Sequence, residues 1–89
     1  MRLLILYYPN SEHSTIVEEF VRNLKSRHDI GSKLELVNLN TRDGAATASL
    51  YDVVDYPAVL ALANDGSVLN SWEGNSLPLV DEVAGYLSL

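Results

Sequence analysis

Eighty-nine residues with no cysteine, 47% hydrophobic and 20% charged, suffice for one domain but leave its core little to spare. No disulfide can assist, so nearly every regular element must bury a face. The net charge of −6 is uneven, with all six bases and five acids in residues 1–42 and seven acids and no base in residues 43–89, a balance that repels phosphate backbones and excludes nucleic acid as the expected partner.

Leu3 to Tyr8 is short and continuously apolar, as a strand covered on both faces would be. No stretch is expected to span a membrane, and the apolar start, Leu3 to Leu6, is too short for a secretory leader and has no small-residue cleavage site, so a cytoplasmic location is expected. Pro9 and Asn10 end the strand. Ser11 is an expected N-cap, with Glu12 suited to the helix dipole. Ile16, Val17, Phe20, Val21 and Leu24 then recur at helical spacing, with Glu18, Glu19, Arg22 and Lys25 on the other side. Gly31 suits the stop.

Lys33 to Leu39 reads as a second strand. Asn40 or Thr41 can cap a helix from about Asp43 to Val53, whose Ala45, Ala46 and Ala48 are good helix formers and small enough for close packing on a sheet. A strand–helix–strand connection makes the first two strands parallel. After Asp55-Tyr56-Pro57, Ala58 to Ala63 is a third strand, and Asn64-Asp65-Gly66-Ser67 is a turn into a fourth, Val68 to Trp72, forming an antiparallel hairpin. Ser76 can cap a last helix with Pro78 in its first turn and a buried stripe of Leu79, Val80, Val83, Ala84 and Leu87.

The order is βαβαββα, a single α/β domain over residues 1–89. It resembles the minimal thioredoxin-like fold, a four-stranded mixed sheet covered by helices on both faces. Two stretches carry the resemblance. In YYPNSEHS, Tyr7 to Ser14, thioredoxins and glutaredoxins have C-x-x-C, often as Y-x-P-x-C-x-x-C; here Ser11 and Ser14 replace the cysteines. In VDYPAVLALANDGSVLNSWEG, Val54 to Gly74, relatives have a proline, an apolar strand, a D-G turn, another strand and a glycine. The resemblance implies that the Tyr56–Pro57 peptide is cis and lies beside the S-x-x-S turn.

Thiol–disulfide exchange requires a thiolate. A serine hydroxyl is a far weaker acid and forms no disulfide, so dithiol oxidoreductase activity is excluded. Two departures agree. Ile5 stands where thioredoxins often bury an acid, and Glu73-Gly74-Asn75-Ser76 replaces the paired glycines and acids of glutaredoxins. Ser11, Glu12, His13 and Ser14 contain the residue types of a hydrolytic triad, but neighbours on one turn do not face each other. His13 and His28 are too isolated to suggest a metal site, so no metal or cofactor is expected.

What remains is binding. In thioredoxin-like folds the groove between the first turn and the cis-proline accepts an extended peptide by strand addition. The resemblance therefore points to Tyr8, Pro9, Ser11, Glu12, His13 and Ser14 on one side and Asp55, Tyr56 and Pro57 on the other. Ala58 follows where many relatives have threonine, leaving the groove one hydroxyl fewer. The expected function is a redox-inactive module that binds another protein or an extended peptide, itself a monomer or weak dimer. The alternative is a glutathione-binding or glutathione-transferase-like protein in which Ser11, or Tyr7 or Tyr8, stabilises a thiolate; those enzymes carry a further helical domain. Trp72, the sole tryptophan, is expected to pack under the final helix.

Overall fold

The apolar run at the start of the chain forms the strand on which the others assemble. In the computed structural model, which describes residues 2–28, 30, 33–74 and 77–87, this is β1, Arg2–Tyr7, buried from Leu3 onward. On one side β2, Leu34–Asn38, pairs parallel to it, with Leu3 opposite Leu34. On the other, β3, Ala58–Leu62, runs antiparallel, and β4, Val68–Glu73, runs antiparallel to β3. The result is a four-stranded mixed sheet of order β2-β1-β3-β4 with three helices, an α/β fold. Both central strands, β1 and β3, are the ones with uninterrupted apolar sequence, because only they lie between neighbours and bury both faces.

Side chains alternate across a strand, and the core divides accordingly. Leu3, Ile5 and Tyr7 join Val59 and Ala61 in one cluster with Val17, Phe20, Val21 and Leu24 of α1, Ser14–Arg27, and with Val83 and Ala84 of α3, Val80–Leu87. Leu4 and Leu6 join Ala58, Leu60 and Leu62 in a second cluster with Val37, Leu39, Val53 and Ala48 of α2, Arg42–Leu50. No helix among the described residues is long and apolar enough to cross a membrane.

The termini of α1 and α2 depart from the sequence reading for local reasons. Helix α1 begins at Ser14, so Ser11 is not its N-cap and Glu12 precedes its first turn. The Ser11 hydroxyl instead donates to the Tyr8 carbonyl at 2.7 Å, closing a tight turn ahead of the helix. Ile16 falls outside the buried stripe, and Gly31 lies outside the described residues. Helix α2 starts where Thr41 Oγ1 accepts from the Gly44 N–H at 2.9 Å, and its inward contacts are Gly44 and Ala48, one turn apart, while Ala45 and Ala46 face out.

Helix α2 ends at Leu50, short of the expected Val53. The Val53 N–H reaches the Ala48 carbonyl at 2.9 Å and the Asp52 N–H reaches the Ser49 carbonyl at 3.2 Å, the two bonds of a Schellman cap. Asp52 holds the left-handed position of that cap, at φ 55. An L residue is disfavoured there, and a carboxylate opposes the negative end of the helix dipole. Asp52→Gly is therefore expected to raise stability by about 0.5–1 kcal/mol, partly offset by the freer unfolded chain. A higher urea midpoint at an unchanged m-value would show it; a lower midpoint would contradict it.

The β3–β4 turn uses Gly66 at φ 89, with its N–H on the Ala63 carbonyl. Asp65 Oδ1 accepts from the Ser67 hydroxyl at 2.7 Å and the Ser67 N–H at 2.9 Å. These two bonds, the hydroxyl's foremost, hold the Asp65 carboxyl below its ordinary value. Its ionised form thus favours the folded state above the ordinary carboxylate pKa, and that contribution is lost as pH falls through the lowered value. Ser67→Ala is expected to move the Asp65 pKa back up, read by its side-chain carboxyl resonance across an acid titration.

Helix α3 starts at Val80, so Pro78 precedes it and does not sit in its first turn; the expected cap Ser76 lies outside the described residues. Val83 and Ala84 are buried, Leu79 is not, and the Leu87 side chain also lies outside the described residues. Trp72 packs at the edge of the first cluster as expected, edge-on to Tyr86 with centroids 5.6 Å apart, and its indole N–H donates to Glu82 at 3.2 Å.

Candidate functional site

The two stretches singled out in the sequence meet where β1 runs toward α1 and where the chain enters β3. Pro9 and Asn10 cannot continue β1, and the chain turns back on itself. The Ser11 N–H donates to the Tyr8 carbonyl at 3.1 Å, and the Ser14 N–H to the Ser11 carbonyl at 3.2 Å. Opposite, the Tyr56–Pro57 peptide bond is cis, Pro57 is buried, and its carbonyl accepts from Gly74 N–H at 3.0 Å. The contact between the two sides is aromatic. The rings of Tyr8 and Tyr56 stand edge to face with centroids 5.4 Å apart, both half-buried over the second core cluster. Such a pair contributes about 0.5–1.5 kcal/mol beyond the area it buries.

The polar groups of the first turn are largely satisfied within it. Ser11 Oγ gives its proton to the Tyr8 carbonyl and accepts from the His13 backbone N–H at 3.2 Å. Ser14 Oγ donates to the Ser11 carbonyl at 2.9 Å. The serines therefore build the turn. The His13 ring makes no hydrogen bond to either of them among the described residues; its Nε2 lies 3.9 Å from the exposed Glu12 carboxylate. A nucleophile–base pair is thus not assembled. His28, the other histidine, is distant and pairs with Asp81 of α3 at 3.2 Å. No group of three metal-ligating side chains occurs among the described residues.

The loop before β3 is less self-contained. The Tyr56 hydroxyl donates to the Val53 carbonyl at 3.2 Å, and the Val54 N–H donates to the Glu73 carboxylate at 3.0 Å. Among the described residues, the Tyr56 backbone N–H and carbonyl make no hydrogen bond. Tyr56 is a half-buried residue beside a second aromatic ring, so these main-chain groups stand next to apolar surface, the combination that strand addition uses.

Of the sequence-derived residues, Tyr8, Tyr56, Ser11 and Pro57 are brought together by these contacts. Glu12 and Asp55 are exposed nearby, Pro9 and His13 are half-buried, and Ser14 opens α1. Tyr7, considered as a hydroxyl donor, is buried in the first core cluster. The sequence reading missed Glu73, which ties β4 to this loop, and the apolar neighbours Leu50, Tyr51 and Val54. Leu50 is 74% and Val54 75% exposed, and in the chain they stand next to Tyr51 and two residues before Tyr56, respectively. Their signal was visible only as an aliphatic pair in an acidic stretch.

No protein-family model matches the chain, and no curated protein matches it.

Proposed function

We propose that the chain is a redox-inactive thioredoxin-like domain that binds an extended segment of another protein across the surface between Tyr8–Ser14 and Asp55–Pro57. Support for the fold comes from the element order, the strand order β2-β1-β3-β4, and the division of the core into one cluster with α1 and α3 and another with α2. Taken together these favour helices on both faces of the sheet. Dithiol exchange by the chain's own side chains is ruled out by composition, since it has no cysteine.

The observation that carries the binding role is the open Tyr56 backbone beside the Tyr8–Tyr56 ring pair. An added strand gains affinity from main-chain hydrogen bonds, and rigid aromatic rings gain contact area at little entropic cost. The test is a selection from a random-peptide display library, with the bound peptide mapped by amide chemical shifts. The expected result is enrichment of peptides that shift Tyr8 to Ser14 and Asp55 to Ala58 and that Tyr56→Ala no longer retains. Equal retention by the folded Tyr56→Ala variant would sink the proposal.

The glutathione reading has weaker support. Stabilising a thiolate needs a hydroxyl proton directed at sulfur, and that of Ser11 is given to the Tyr8 carbonyl. Millimolar glutathione is expected to leave the amide resonances of Tyr8 to Ser14 unmoved; saturable shifts there would reinstate it.

A further inference from the structure

The surface around Tyr56 has a chemical bias that selects among partners. Leu50, Tyr51, Val54 and Tyr56 lie within one eight-residue stretch, and Tyr8 abuts it through its ring. This is an apolar and aromatic patch with no covering element among the described residues: Leu50 and Val54 stay mostly exposed. Three carboxylates border it. Asp52 and Asp55 alternate with its apolar members, and Glu73 is tied to it through the Val54 N–H. Among the described residues, none of Asp52, Asp55 and Glu73 is paired with a cation. Residues 8–14, 50–57 and 71–74 contain no lysine or arginine, and Arg42 stands at the opposite end of α2 from Leu50.

We infer that the segment bound here is cationic: an extended stretch of another protein in which lysine or arginine residues flank an apolar side chain. This inference rests on the proposed binding role of the same surface and adds the chemistry of its partner. The apolar residue lies against Tyr8, Tyr56 and Val54, the main chain bonds to the open Tyr56 backbone groups, and the flanking cations meet Asp52, Asp55 and Glu73. Lysine and arginine stems are long enough to cover aliphatic surface while their charges reach a carboxylate. Complementary rim charges chiefly speed encounter and reject acidic competitors, so the interaction weakens as salt screens it.

The experiment compares the peptides that the display library yields on the wild-type chain with those from Asp52→Asn/Asp55→Asn/Glu73→Gln. On the wild type, recovered sequences are expected to carry at least two basic residues around an apolar one. Their affinity should fall about tenfold in the triple variant, the sum expected of three exposed charge contacts, and should fall again as salt is raised. Recovered peptides that are neutral or acidic, or that bind both proteins equally at every salt concentration, overturn the cationic assignment while leaving the groove in place, provided Tyr56→Ala still abolishes their binding. Peptides that survive Tyr56→Ala remove the groove itself. Self-association of the wild type that is lost in the triple variant, seen by sedimentation, replaces the foreign segment with a second copy and likewise overturns the inference. Retention of native amide dispersion by both variants makes each outcome readable.

Discussion

Gly44→Ala is expected to lower the melting temperature by about 10–20 °C, although alanine is the better helix former. In an open helix the exchange gains about 0.8–1 kcal/mol. At Gly44 a Cβ would overlap the Asn38 carbonyl oxygen and stand 2.7 Å from the carbonyl carbon. Both are backbone atoms at the end of β2 and cannot rotate aside. The same carbonyl accepts from the Thr41 N–H at 3.1 Å and from Thr41 Oγ1 at 2.7 Å, so moving it breaks the turn that starts α2. Relief requires α2 to lift from the sheet, taking Ala48 from the core. Overpacking of this kind costs about 1–3 kcal/mol and more where backbone must shift; a net loss of about 2–3 kcal/mol gives the stated change at this chain length. Gly85→Ala supplies the control. Nothing stands within 4 Å of a Cβ there, and Gly85 is an exposed residue within α3, so a gain of about 0.4–1 kcal/mol is expected. Thermal unfolding of both variants followed by circular dichroism checks the opposite signs; a stabilised Gly44→Ala would show that α2 does not lie as close to β2 as described.

Ile5→Asp is expected to leave the domain unfolded at neutral pH and partly folded in mild acid. Ile5 is fully buried in β1 beside Val59, and no polar or charged side chain is buried among the described residues to receive a carboxyl. Loss of the apolar side chain and burial of an unpaired polar group together cost about 4 kcal/mol or more. A domain of this length is stable by only about 4–13 kcal/mol. Burial raises the pKa of the introduced carboxyl in the folded state. Its cost is therefore smallest below the unfolded value of about 3.9 and grows by about 1.4 kcal/mol per unit as pH rises toward the folded value. Ile5→Asn, which cannot ionise, should be destabilised with no such pH dependence. Urea midpoints of the two variants measured against wild type across the acid range make the comparison; parallel curves would mean that solvent or a polar partner reaches position 5.

The strands at the centre of the sheet were plain in the sequence because continuous apolar runs of that length have few other uses. The α1 stripe was plain for a similar reason, as were the parallel first pair and the closing hairpin. What escaped reading was set by contacts that leave little local mark. Ser11 has the chemistry of an N-cap, but its hydroxyl is claimed by the Tyr8 carbonyl, which moves the helix start to Ser14. Helix α2 stops early because Asp52 adopts a conformation that sequence assigns to glycine. Gly44 lies in a helix of good formers, and its use emerges only when β2 is set beside it. In the candidate site, the Tyr8 and Tyr56 positions were legible from resemblance, whereas the bond from Val54 to Glu73 spans nineteen residues and has no counterpart in any local pattern.

Trp72 gives the domain a built-in optical probe. It is the sole tryptophan, and its indole is held by Glu82 and Tyr86, both on α3. Helix α3 is short; it packs against α1 and gives Val83 and Ala84 to the first cluster while the second cluster is built without it, so its release need not coincide with loss of the sheet. Departure of α3 exposes the indole to water and shifts its emission to the red while β-sheet ellipticity persists. Emission and ellipticity followed together thus distinguish fraying of the last helix from unfolding of the whole domain, without a label.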